Sequence, residues 1–148
     1  MKKIFSILCL GLALMMCGCE PDADQNFEKQ VFVGTVSVDY KDSTYENKNI
    51  TVEVEEASEG LLDITIRSIR FVEEMPVTID VTFPEVPYTK SKDNITFFID
   101  TVVPWMGNAP VERYTSKSLA GLITSNGGIS FTVQIADYPT RYTGKRTN

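Results

Sequence analysis

The sequence of 148 residues contains no histidine. Because histidine is the commonest general base and a frequent metal ligand, its absence excludes histidine-dependent nucleophile triads and most zinc or copper sites. Cysteine is confined to Cys9, Cys17 and Cys19, so no disulfide framework can form within the rest of the chain. The domain must therefore be stabilised by its hydrophobic core.

Positive charge is scarce, since 14 Lys and Arg residues stand against 20 Asp and Glu residues and the net charge is −6. Nucleic-acid binding requires a positive surface that contacts phosphates, so we expect no nucleic-acid partner. A hydrophobic fraction of 43% and a charged fraction of 23% are typical of one ordinary globular domain. A disordered or multi-domain chain is therefore not expected.

A long hydrophobic run is also missing. The apolar stretch at residues 4–16 follows Lys2 and Lys3 and is well short of the roughly 20 residues that cross a bilayer. A charged start followed by a short apolar stretch is the order found in a secretory signal peptide. The sequence therefore predicts export rather than a membrane span.

Residues 16–19, Met-Cys-Gly-Cys, resemble a bacterial lipobox, in which a small residue precedes the cysteine that is acylated and becomes the new N-terminus. Gly18 supplies that small residue for Cys19, whereas the methionine before Cys17 is bulky. We therefore expect a signal peptide at residues 1–18 and lipid attachment at Cys19, the alternative being an ordinary signal peptide. Several acyl chains would hold the protein firmly, because burial contributes about 0.8 kcal/mol per CH₂.

The segment at residues 19–29 is acidic and lacks an apolar period, which predicts a flexible tether. An acidic stretch directly after a lipidated cysteine also resembles the export signal by which some Gram-negative bacteria display lipoproteins at the cell surface. We therefore expect a protein that is lipid-anchored in the outer membrane and exposed at the cell surface. The periplasmic face of that membrane is the alternative.

From residue 30 onward, apolar and polar side chains alternate, which is the pattern of strands with one dry and one wet face. The apolar members are Val36, Val38 and Tyr40; Ile50, Val52 and Val54; Leu62, Ile64 and Ile66; Val77, Ile79, Val81 and Phe83; Ile95, Phe97 and Ile99; and Ile129, Phe131, Val133 and Ile135. A parallel sheet would show continuous apolar strands separated by helices, and neither is present. The sheet is therefore expected to be antiparallel.

Three further features complete the predicted sheet. Asn126 and Gly127 form the strongest short-range hairpin signal. Gly121 lies inside an apolar run, which predicts a bulge or a close backbone approach. With a C-terminal strand near residues 141–145, the sequence predicts an all-β fold of about seven to eight strands, either an antiparallel barrel or a two-sheet sandwich.

Three segments show a distinctive placement of glycines and alternation of apolar residues. They are residues 32–38, residues 64–71 before 75–77, and residues 119–129. On these features the body of the chain resembles the calycin-like β-barrel lipoprotein family. The resemblance implies a lipocalin-like, up-and-down barrel over residues 30–148 and a location in the cell envelope.

The wider calycins bind small apolar ligands, and members with the lipocalin pattern have Gly-x-Trp in the first strand. Here the corresponding residues are Gly34, Thr35 and Val36, so valine stands at the tryptophan position. A small barrel can also be filled by its own side chains. The resemblance therefore implies a fold and a location more than a ligand carrier.

The sequence shows no catalytic or metal-binding signature. The glutamates between residues 53 and 59 are assigned to the wet face of a strand, where a solvated surface is expected rather than a raised-pKa acid. Asp39 and Asp42 lack the ligand spacing and the glycine of a calcium loop. The serine and threonine hydroxyls have no evident activating base. We expect a protein that is not an enzyme and that holds no metal or cofactor.

The most unusual segment is a proline-containing loop at residues 101–114, which includes the sole tryptophan. Long loops on rigid scaffolds often carry function, and Trp and Tyr offer a flat apolar surface with a polar tip. We expect a binding site at one end of the barrel. Its candidate residues are Trp105, Met106, Tyr88 and Tyr114. The alternative is that Trp105 plugs the open end of the barrel.

Three functional hypotheses follow. In the first, the protein is a non-enzymatic, lipid-anchored envelope protein that presents barrel-end loops to a small apolar or carbohydrate ligand or to a protein partner. In the second, it is a structural or accessory subunit of an outer-membrane assembly with a solid barrel. A carboxylate-based envelope hydrolase is a third hypothesis, with the least support.

Overall fold

The computed structural model describes residues 27–147, and 72% of these residues lie in strands. The strands are β1 (Gln30–Tyr40), β2 (Ser43–Ser58), β3 (Leu61–Ile69), β4 (Ile79–Ser91), β5 (Asn94–Val102), β6 (Trp105–Met106), β7 (Ala109–Pro110), β8 (Ser116–Ile123), β9 (Gly128–Ile135) and β10 (Tyr138–Arg146). A single turn of 3-10 helix, Glu112–Tyr114, precedes β8. No helix within the described range is long and apolar enough to cross a bilayer.

Eight of the strands close into an antiparallel up-and-down barrel. Each barrel strand pairs with the next one in the chain, and β5 pairs with β8 across the excursion through β6 and β7. The ring closes because β10 pairs with β1 and β3 pairs with β4. The predicted all-β antiparallel barrel is confirmed, and its closure excludes the two-sheet sandwich. The architecture is compatible with a calycin-like fold.

The interior is filled by apolar side chains that form one cluster, most of them at the predicted alternating positions. Its largest rings are Phe32, Phe71, Phe83, Phe97, Phe131 and Tyr142. Of the predicted core residues, Ile79 and Ile99 are half-buried, and Val77 and Tyr40 are exposed. Val77 is 61% exposed because it lies before β4 begins at Ile79, where the alternation of the strand does not yet apply. Each fully buried apolar side chain contributes about 1.5–3 kcal/mol before conformational entropy is subtracted.

Two paired glycines lie beside an internal tyrosine, where one accommodates the neighbouring backbone and the other accommodates the tyrosine ring. Gly34 of β1 pairs with Gly144 of β10, and a Cβ atom would overlap the β10 backbone at Gly34 and the Tyr142 ring at Gly144. The Tyr142 hydroxyl reaches past β1 and donates a hydrogen bond to the carbonyl oxygen of Ile50 at 3.0 Å. Burial raises the pKa of the Tyr142 phenol because its charged form would be desolvated.

The local predictions around β8 are met in part. The Asn126–Gly127 turn joins β8 to β9, and Gly127 has a φ of 90°, which favours glycine. A Cβ atom on Gly121 would overlap the Phe97 ring, so the close neighbour of Gly121 is a side chain rather than another backbone. The bulge of β8 lies instead between Lys117 and Ala120.

Bulges interrupt the register of β2, β3, β4 and β8, and one bulge in each of these strands contains a non-glycine residue with φ between 53° and 58°. These residues are Asn49, Ser68, Glu85 and Ser118. Two aspartates on the opposite strand accept the exposed bulge amides: Asp80 Oδ1 accepts the Ser68 N–H at 2.8 Å, and Asp63 Oδ1 accepts the Glu85 N–H at 3.0 Å. Bulges bend the strands and increase their twist, which helps the sheet to close.

The two ends of the barrel carry different parts of the chain. One end, here named the loop end, carries the connections 70–78 and 103–115 and the tight turns after β1 and β9. The other, named the termini end, carries Phe27 and Thr147, the first and last described residues, and the turns after β2, β4 and β8.

Candidate binding surfaces

A row of four aromatic rings closes the loop end. Phe71, which is 1% exposed, stacks on Tyr138 with 4.8 Å between ring centroids and on Tyr114 with 5.6 Å. Tyr138 in turn packs on Tyr40 at 5.3 Å. Each such pair stabilises by about 0.5–1.5 kcal/mol beyond the area it buries. These four residues are named the ring row, and they plug this end of the barrel.

A cation lies over each outer ring of the ring row. The guanidinium carbon of Arg113 is 4.9 Å from the Tyr114 ring centroid, and Lys41 Nζ is 5.2 Å from the Tyr40 centroid. Burial raises the pKa of Tyr138, and the neighbouring Tyr114 and Tyr40 phenols raise it further. Because rings and cations cover the ring faces, the ring row is better suited to closing the core than to stacking on a ligand.

The sole tryptophan lies outside the barrel. Trp105 and Met106 form β6, which pairs with Thr82 and Val81 along the edge of β4. Neighbouring residues of a strand point to opposite faces. Met106, opposite the buried Val81, packs against the core, whereas Trp105, opposite Thr82, is 41% exposed. The alternative that Trp105 plugs the barrel is therefore wrong, and Phe71 occupies that position.

An open groove of about 490 Å³ runs beside Trp105 on the flank of the barrel. Its lining residues are Ala57, Asp63, Thr82, Pro84, Glu85, Trp105 and Gly107. The bond from the Glu85 amide holds the Asp63 carboxylate in place at 3.0 Å. The Thr82 hydroxyl shares a hydrogen bond with the Thr65 hydroxyl at 2.9 Å. This surface, named the Trp105 groove, combines one aromatic face with two carboxylates.

Tyr88 does not share a surface with Trp105. It lies six residues along β4 from Thr82, the partner of Trp105, which is about 20 Å on an extended strand. Its ring is 5.9 Å from the Phe27 ring, and its hydroxyl donates to Glu56 Oε1 at 3.3 Å. Burial raises the pKa of Tyr88, and the nearby Glu56 carboxylate adds to the increase. The expectation of one site at one barrel end is therefore corrected: Tyr88 lies toward the termini end.

One glutamate that the sequence assigned to the wet face points inward. Glu56 follows Val54 at the spacing of the buried residues of β2, and its Oε2 accepts the Phe27 N–H at 3.2 Å. Glu53, by contrast, lies outside, where it pairs with Lys29 at 3.0 Å. The strand period extended by one step would have indicated the inward position of Glu56.

The predicted lipid-attachment site and the segments around it lie mostly before the described part of the chain. Cys19, the predicted signal peptide and most of the predicted tether lie outside the described residues. Phe27 and Lys29, at the end of that tether, contact the barrel. Within residues 27–147, no three His, Cys, Asp or Glu side chains gather where a metal ion could be held.

Three contributors to these surfaces were not predicted from the sequence. Phe71 and Tyr138 lie beside turns at the ends of strands, outside the apolar runs that predicted the core. Asp63 had no signal, because it meets Glu85 only through the bulge of β4.

Comparisons of the chain with protein-family models, with curated proteins and with solved structures find no match.

Proposed function

We propose that this protein is a non-enzymatic, lipid-anchored envelope protein whose barrel holds a binding surface away from the membrane. One observation carries the proposal. The chain enters the barrel at Phe27, at the termini end, while the connections 70–78 and 103–115 both emerge at the loop end. We include in the proposal membership of the calycin-like lipoprotein family, with which the barrel architecture is compatible.

The distance from the anchor supports this arrangement. The proposed lipid attachment at Cys19 lies eight residues before Phe27, and an extended chain spans at most about 3.3–3.6 Å per residue. The termini end would then stay within about 30 Å of the membrane surface. The loop end, at the opposite end of the strands, would face away from the membrane.

Because the interior is filled, a ligand would have to bind at the outer surface of the barrel. The buried rings and aliphatic side chains occupy the space in which lipocalin-like barrels hold ligands. A ligand or partner would therefore contact the flank or the loop end, where Trp105 is exposed.

The same filled interior favours a second candidate function. A barrel that is solid and plugged by the ring row suits a structural or accessory subunit of an outer-membrane assembly. Such a subunit would co-purify in constant stoichiometry with a partner, and alanine at Trp105 would leave that complex intact.

The proposal is tested with the acylated protein in vesicles. Mass spectrometry of the protein from native membranes should find the lipid on Cys19. A fluorophore is then attached at Asp93→Cys, in the turn after β4, or at Asn108→Cys, in the turn between β6 and β7, both of which are exposed. Nitroxide lipids should quench the fluorophore at position 93 more strongly than at position 108.

Two results would contradict the proposal: an unacylated N-terminus, or equal quenching at the two positions. Labelling of Asn108→Cys by an impermeant reagent on intact cells would support the cell surface. Labelling only after permeabilisation would support the periplasmic face.

A further inference from the structure

The exposure of Trp105 is built into the strand that carries it. Met106 packs against the core and pairs with Val81, so the alternation of β6 directs Trp105 outward. The Val111 N–H donates to the carbonyl oxygen of Pro104 at 2.9 Å and ties the base of the hairpin. Because this backbone is already ordered, a ligand that contacts Trp105 does not have to order the hairpin that carries it.

The opposite side of the Trp105 groove supplies hydrogen-bond acceptors. Asp63 uses Oδ1 to accept the Glu85 amide, which leaves Oδ2 available to a donor from a ligand. Glu85 is exposed at the bulge beside it and has a φ of 54°. Bulges often occur next to functional sites, where they redirect a side chain.

We propose that the Trp105 groove binds a neutral carbohydrate. The Trp105 ring would stack on the C–H face of one sugar ring, and the carboxylates of Asp63 and Glu85 would accept hydrogen bonds from its hydroxyl groups. The groove volume of about 490 Å³ lies in the range of small-molecule sites. This inference deepens the proposed binding function and rests on it.

A cationic ligand is the main competitor, because carboxylates and an aromatic ring also attract ammonium groups. Sites for such cations usually enclose the cation in a cage of several aromatic rings. The Trp105 groove has a single aromatic residue in its lining and is open to solvent. These features favour a flat polyhydroxylated ligand.

The test uses the purified full-length protein in detergent. Because Trp105 is the sole tryptophan, its fluorescence reports directly on the groove. The protein is titrated with neutral hexose and pentose oligosaccharides at up to millimolar concentration, and binding is confirmed by calorimetry. At least one oligosaccharide should change the fluorescence saturably.

Variants then locate the site. Trp105→Ala should weaken binding measured by calorimetry by about tenfold or more. Asp63→Asn, which keeps an oxygen for the Glu85 amide, should weaken it by several-fold. Phe98→Ala is the matched control, since Phe98 is 53% exposed on β5 and does not line the groove. It should leave binding within about twofold.

Three outcomes would overturn the inference: no oligosaccharide binds, the bound oligosaccharide is insensitive to Trp105→Ala, or spermidine binds in its place and depends on Trp105. The vesicle experiment separates these failures from failure of the proposed function. An acylated protein with the expected quenching difference and no sugar binding overturns the carbohydrate inference alone.

Discussion

Phe71 and Trp105 are both carried by connections at the loop end, yet they contribute to the molecule in different ways. Phe71 is 1% exposed between two stacked rings, whereas Trp105 is 41% exposed on the outer side of β4. The neighbours decide the difference. Tyr114 and Tyr138 both stack on Phe71, while Met106 takes the inward position beside Trp105 and leaves it outside. Aromatic residues in loops can therefore close a core or face a ligand.

The largest expected effect is on the ring row. Phe71→Ala should lower the free energy of unfolding by about 3–5 kcal/mol, because it removes a buried ring and leaves a cavity. Urea denaturation monitored by circular dichroism measures the loss. Phe98→Ala, an exposed aromatic truncation, is the control and should cost under about 1 kcal/mol. Equal losses in the two variants would remove the distinction between buried and exposed rings.

The internal tyrosine should give the next largest effect. Tyr142→Phe keeps the ring but removes the hydroxyl that donates to the Ile50 carbonyl oxygen. A buried acceptor that loses its donor costs about 1–3 kcal/mol, so the midpoint of urea denaturation should fall. Tyr40→Phe, at a ring that is 37% exposed, is the matched control. An unchanged midpoint in Tyr142→Phe would show that this hydrogen bond contributes nothing net.

Truncation of the tryptophan should affect stability less. Trp105→Ala is expected to cost about 1 kcal/mol or less, because much of the ring is already exposed to water. Thermal unfolding compares it directly with Phe71→Ala. A loss as large as that of Phe71→Ala would assign Trp105 to the core and favour the accessory-subunit function.

The smallest effect concerns the charged outer face of the strands next to the Trp105 groove. Burial raises the pKa of Glu53, but hydrogen bonds from Lys29 and Arg67 outweigh burial and hold the pKa below its ordinary value. This stabilisation is therefore present above the unfolded-state pKa of about 4.3 and is lost as the pH falls through the folded-state value.

Urea denaturation between pH 6 and pH 3 tests the ion pair. The free energy of unfolding should decrease as the pH falls. In Glu53→Gln this decrease should be smaller by about 0.2–1 kcal/mol, which is the usual contribution of a surface ion pair. Glu55→Gln, at an exposed residue of the same strand, is the matched control. Identical pH profiles of the two variants would contradict a special contribution of Glu53.

Much of the fold could be predicted because the alternation of β-strands depends on local sequence. The runs at Val36–Val38 and Ile129–Ile135 point inward as predicted, since each strand must bury one face. The same alternation would also have predicted the inward position of Glu56. The groove partners Asp63 and Glu85 were not, because a bulge shifts the register and brings together residues that are distant in the chain.

The sequence alone determined that the described chain forms strands with one dry face, where turns such as Asn126–Gly127 fall, and that Gly121 is a special position within its strand. Period, turn chemistry and the absence of a side chain act over a few residues. Only the tertiary structure decided that the sheet closes into a barrel, that Phe71 plugs it and that Trp105 lies outside. These outcomes depend on which edges pair and which side chain takes the inward position, and no local pattern contains that information.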